Sequence, residues 1–272
     1  MISKIYVYSE PRCDGIDFGE VATHLSEKLP AADVELRSPL LEGNCEEPAV
    51  LDALAQSLAG AKVRDLTRHH ESPAALLSGE IAYERRRLSN RGSQVYGLLY
   101  DAHLFSEICL GLMSPDETGL HQVHVVFTNQ LIGTWEPADS RFHARTVLCG
   151  SPAIVSIPGL VEAPAKSPGY YLARRGAEAF GLAEEAKMEL AGTFADDCLS
   201  LDDPRLTEVA KGYAMQAVIY RLSGEAFCGD PQCRLFNAHW QLELLEAQTR
   251  GDYEYCREHE EFFRRFDKDG TA

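Results

Sequence analysis

Residues 5–36 read IYVYSEPRCDGIDFGEVATHLSEKLPAADVEL. Ile5-Tyr6-Val7-Tyr8 is strand-like, residues 18–29 space their apolar side chains for one face of a helix, and Asp33-Val34-Glu35-Leu36 alternates apolar with polar. This β-α-β pattern makes the chain an α/β protein. Beyond it, residues 49–60 read as a short helix rich in alanine and leucine, and the polar residues 64–73, with His69 and His70, as a loop. Val123-His-Val-Val-Phe-Thr128 is a buried strand, and residues 146–149 and 153–157 supply one or two more. Between them lie Trp135 and the polar run Ser140 to Arg145. Pro158, Pro164 and Pro168 break regular structure ahead of two helices, about 174–191 and 204–222. Pro204, behind the acidic pair Asp202-Asp203, is a sound start for the second. Two more helices, about 237–249 and 253–266, close the chain, and no internal repeat is visible.

The 272 residues are 45% hydrophobic and 25% charged, with no Gly, Ser or Pro tract to mark a linker. One domain is expected over 1–272, with an N-terminal α/β part over 1–120 and a second part over 121–272. A net charge of −16 repels phosphate backbones, and Arg85-Arg86-Arg87 is too short for a nucleic-acid footprint. No apolar run reaches the roughly 18 to 20 residues that span a bilayer, and the start lacks a signal-peptide core. The expected location is the cytoplasm, with neither nucleic acid nor membrane as partner.

In a reducing compartment eight cysteines point to metal binding or burial rather than disulfides. Cys13, Cys45, Cys109, Cys149 and Cys198 are scattered, whereas Cys228 and Cys233 enclose the turn-forming Gly229-Asp230-Pro231. Cys256-Arg-Glu-His259 places a second pair of ligands three residues apart, close to one helix face. Two such pairs brought together make a closed tetrahedral zinc site, one ion per chain, with His239 as the rival fourth ligand. Four protein ligands leave no open position, so the ion serves folding and does not activate water.

Cys228-x4-Cys233-x-Leu235, with Gly224 upstream and Cys256-x-x-His259 downstream, resembles the archaemetzincins. These are metzincin-type zinc metallopeptidase-like proteins whose His-Glu-x-x-His-x-x-Gly-x-x-His helix runs into Cys-x4-Cys-x-Met and a later Cys-x-x-Cys. Val125 to Thr128 and Ala153 to Leu160 look like the strands ahead of that helix, so the resemblance covers about residues 120–260. It implies an α/β (α+β) fold with a metzincin-like mixed sheet, flanking helices and a C-terminal zinc-knuckle helical segment. In this register Ala217, Arg221 and Phe227 replace the three histidines and Val218 the glutamate. None of these can hold a catalytic zinc or take a proton from its water. Peptidase activity by the family's mechanism is therefore not expected, and the resemblance implies a degenerate peptidase that binds a small molecule or protein through the old cleft.

The alternative is a metal-dependent hydrolase with a rebuilt site around His124, His143, Cys149 and His239. His121 and His124 point to opposite faces of a strand and make a poor ligand pair. Cys149, after a strand and before Gly150, is placed for a nucleophile if a histidine such as His143 approaches it, although a free cysteine there is more often simply buried. Arg141, Arg145 and Arg221 are candidates for an anionic ligand, His103 is a further polar residue near the expected cleft, and Tyr170, Tyr171 and Trp240 read as core.

Overall fold

The computed structural model describes residues 2–11, 13–69, 76–90, 97–179, 190 and 192–269. β1 (Lys4–Tyr8), α1 (Phe18–Lys28) and β2 (Asp33–Arg37) form the β-α-β unit, with β1 and β2 parallel and in register from Lys4 opposite Asp33. Asp17 starts α1 by accepting the Glu20 N–H at 3.0 Å, which satisfies one of the unpaired donors of the first turn. Two short helices follow, α2 (Leu40–Gly43) and the expected α3 (Pro48–Ala61), then α4 (Ser78–Ser89), β3 (Leu99–Asp101) and α5 (Ala102–Gly111). The expected loop is nonhelical through His69, while His70 to Pro73 lie outside the described residues.

The main sheet has five strands in the order β2-β1-β4-β8-β7, where β4 is Gln122–Thr128, β7 Val147–Leu148 and β8 Ala153–Ser156. The first four run parallel and β7 is antiparallel at the edge. The run Ser140 to Arg145, assigned no element from sequence, belongs to a hairpin of β5 (Leu131–Glu136) and β6 (Arg141–Arg145), which joins β3 in a three-stranded sheet. The chain is thus a mixed α/β fold with two mixed sheets and flanking helices.

Alternation along the strands sorts the core onto both faces of the main sheet. Ile5, Val7, Val123, Val125, Phe127, Ala153 and Val155 pack on the side of α1 and α8 (Leu206–Ser223). Tyr6, Tyr8, Val126 and Ile154 pack on the opposite side, with α3 and α5. α8 is buried from Leu206 to Ile219 on nearly every side, as expected of a helix without a polar face. It ends at Gly224, whose φ of 83° is left-handed and whose N–H donates to the Tyr220 carbonyl at 2.8 Å.

Four expected helix starts move, that of α8 from Pro204 to Leu206. α6 (Ile157–Glu162) begins within the proline-broken stretch, and α7 (Pro168–Ala179) starts six residues before 174 because proline is accepted in a first turn. Residues 180–189 and 191 of the expected helix lie outside the described set. Residues 237–240 lie outside any helix, and the next helix is only α9 (Gln241–Leu245), continued by a π turn, Glu246–Arg250. α10 (Arg257–Asp269) starts after Cys256.

Candidate metal centre and cleft

Cys228 follows the end of α8, and a tight turn carries the chain from it to Cys233. Cys228 N–H donates to the Leu235 carbonyl at 2.7 Å and Cys233 N–H to the Asp230 carbonyl at 3.1 Å, so backbone bonds fix the loop. The Asp230 N–H points at Cys228 Sγ at 3.3 Å, a contact that favours the thiolate. Cys256 immediately precedes α10, its carbonyl accepting the Glu260 N–H at 3.0 Å, and His259 sits in the first turn of that helix. The loop and the helix start therefore meet with one cysteine pair and one Cys/His pair.

The ligand atoms of Cys228, Cys233, Cys256 and His259 all lie within 4.8 Å of one another. Cys228 Sγ is 3.8 Å from Cys256 Sγ, Cys233 Sγ is 3.8 Å from His259 Nδ1, and Cys256 Sγ is 3.1 Å from that nitrogen. Tetrahedral thiolates bound at about 2.3 Å stand about 3.8 Å apart, so the four groups fit one ion with little rearrangement. Among the described residues it is the one His/Cys/Asp/Glu group assembled in this way. Burial raises the Cys228 thiol, pushes Cys233 up to about 12, and lowers His259. The rival His239 lies outside the group, exposed at the start of the loop into α9, with its N–H donating to Glu243 Oε2 at 2.9 Å.

A cleft of about 430 Å³ opens between β7, the end of α8 and residues 237–239. Arg145, Cys149, Tyr220, Phe227, Asn237 and His239 are among its lining residues. Two of the four residues considered for a rebuilt site, Cys149 and His239, thus face one space. His124 does not: it is buried under β1 on the α3 side, bonded to Tyr8 Oη at 3.1 Å and to the Glu117 carbonyl at 2.7 Å. Burial holds its pKa below the ordinary value. His143 is bonded to Asp139 at 2.6 Å and does not line the cleft. Burial raises the Cys149 thiol to about 11, so it is protonated at neutral pH.

Arg145 donates to Thr134 Oγ1 at 2.7 Å from the cleft wall, Arg141 is exposed on β6, and Arg221 is half-buried in α8 with its Nε lacking a hydrogen-bond partner among the described residues. His103 is exposed on α5. Trp240 is 44% exposed rather than core, because it sits ahead of the first turn of α9 instead of within a helix. A larger groove of about 690 Å³ between α3 and α5 is walled by Leu54, Leu104, Ile108 and Leu112, with few polar groups converging on it. The residues missed from sequence, Tyr220, Asn237 and Thr134 in the cleft, carry no motif. Arg145, Cys149 and His239 were legible as polar candidates, and Gly224 and Phe227 by their places in the resemblance.

The fold and the assembled thiol and imidazole groups define an α/β protein with a candidate metal centre. The chain belongs to the Probable metallopeptidase family (DUF6775), whose model matches residues 1–266. No curated protein and no solved structure matches it.

Proposed function

We propose that this chain is an archaemetzincin-like protein with a structural zinc at Cys228, Cys233, Cys256 and His259 and a degenerate peptidase site, whose cleft binds a small molecule or protein without cleaving it. The carrying observation is the closed four-ligand centre. Three thiolates and one imidazole suit zinc, and a full shell leaves no place for a reactive water. The cleft lies beside the end of α8, where a metallopeptidase of this register carries its catalytic set. Here Ala217 and Val218 are buried apolar residues and Phe227 lines the cleft. No imidazole or carboxylate stands at those positions to hold a second ion or to act as base.

The test is elemental analysis before and after mild chelation, with folding followed by circular dichroism. One zinc per chain is expected, its removal unfolding the C-terminal segment, and Cys233→Ala should lose both the zinc and the folded state of that segment. A soluble Cys233→Ala chain of unchanged thermal stability would sink the structural role. The sharing of the cleft by Cys149 and His239 favours the metal-dependent hydrolase as a second reading. That reading requires a second metal that leaves without unfolding the chain.

A further inference from the structure

Outside the four ligands, a buried polar cluster converges on the residue after Cys233. The Arg234 N–H donates to the Glu254 carbonyl at 2.9 Å, so one backbone bond joins the loop carrying Cys233 to the segment that delivers Cys256. The Arg234 carbonyl accepts from two side-chain amides, Gln216 Nε2 of α8 at 3.3 Å and Gln248 Nε2 of the π turn at 2.8 Å. Gln216 Nε2 also donates to the Phe236 carbonyl at 3.2 Å. The Arg234 guanidinium pairs with Glu208 at 2.7 Å and Glu254 at 3.3 Å. Arg234, Gln216 and Gln248 are each more than nine-tenths buried.

Two features show that this cluster is not ordinary packing. Gly212 lies in the interior of α8, where glycine is unfavourable, and a Cβ there would collide with the Gln248 side-chain amide. Gln216 Oε1, Gln248 Oε1 and Arg234 Nη1 are buried with no hydrogen-bond partner among the described residues, a cost that leucine or methionine in the same space would avoid. Helix α8 and the π turn thus both give up stability to aim amide donors at one peptide carbonyl beside a ligand.

We infer that Gln216, Gln248 and Arg234 are positioning residues for the metal. The amides lock the Arg234–Leu235 peptide against α8, and the Arg234 N–H and guanidinium tie the residue after Cys233 to the Cys256 segment, so the four ligand atoms are held together before the ion arrives. This rests on the reading of Cys228, Cys233, Cys256 and His259 as zinc ligands. Groups that orient metal ligands from outside the coordination shell change affinity about 10- to 100-fold when removed.

The experiment measures zinc affinity of the full chain by competition with a chromophoric chelator, together with the cobalt(II) thiolate absorption. Gln248→Met and Gly212→Ala should each bind zinc about 10- to 100-fold more weakly with a shifted cobalt spectrum. Gly212→Ala is informative because helix propensity alone makes it stabilising, so weakened binding in a folded chain reports on Gln248. Both changes act through one contact, and the double variant should bind no more weakly than Gln248→Met alone. Arg234→Lys, which keeps the charge but not the fork, should fall between wild type and Arg234→Met. Wild-type affinity and spectrum in folded Gly212→Ala and Arg234→Met overturn the inference while leaving the zinc centre standing. A wild-type chain that takes no zinc overturns both.

Discussion

His24 shows how one side chain couples distant parts of this chain to pH. It is buried on α1 with Nε2 2.7 Å from Tyr255 Oη, and burial first, then the charge of Arg234, lowers its pKa to about 4. The unfolded value is about 6.5, so the unfolded chain binds the proton more readily. Stability from this site is complete above pH about 6.5 and drains away as pH falls toward 4, a loss on the order of 3 kcal/mol. Replacing His24 with Gln should flatten the fall in urea midpoint between pH 6.5 and 4.5 relative to wild type. Metal loss on acidification is common to both chains, so parallel curves would remove His24 from the account. No sequence reading reaches this residue, because a lone histidine on a helix says nothing of the tyrosine 231 positions away.

Among elements, α6 is the one whose seating on β6 shapes the cleft. Gly159 lies in its first turn, and a Cβ there would collide with the Arg145 carbonyl and press on the Ser156 side chain. Ser156 already serves both partners, donating to the Gln130 carbonyl at 2.6 Å and accepting the Gly159 N–H at 3.0 Å. Gly159→Ala should therefore destabilise by about 1–3 kcal/mol in thermal or urea unfolding, despite alanine's better helix propensity. An unchanged or raised midpoint would show that β6 yields at no cost. Elements with a clean period were legible: β1, α1, β2, β4 and α3 follow from spacing alone. The β5–β6 hairpin was not, because Gly133 interrupts its apolar pattern where a Cβ would meet the His143 carbonyl. The metal ligands were legible because turn chemistry constrains Cys-x4-Cys locally. The glutamines that meet the Arg234 carbonyl were not, since glutamine in a helix reads as surface.

On the scale of the whole molecule, the centre and the sheet stabilise different parts by different means. The strands β1, β4 and β8 pair with one another and bury apolar side chains on both faces, and the knuckle adds Cys233 and Leu235 to the core on the α1 side. The segment from Cys228 to Phe236 is held by turn bonds, by the Gln216 and Gln248 amides on the Arg234 carbonyl and by the Arg234 N–H on the Glu254 carbonyl, and α10 joins the core chiefly through Phe263 and Phe266. Contacts back to α1 run through the buried His24–Tyr255 bond and through Lys28, whose pairs with Glu254 at 2.9 Å and Glu260 at 3.4 Å are exposed enough to contribute little. Under the zinc reading the ion adds a direct tie between the knuckle and the first turn of α10 to the bonds that Arg234 makes with Glu254. Chelation followed by hydrogen exchange should expose the amides of Cys228, Cys233, Arg234 and the first turn of α10 while β1 and β4 keep their protection. Simultaneous loss of protection in β4 would mean instead that the sheet and the knuckle open as one cooperative unit, with the metal stabilising the entire fold.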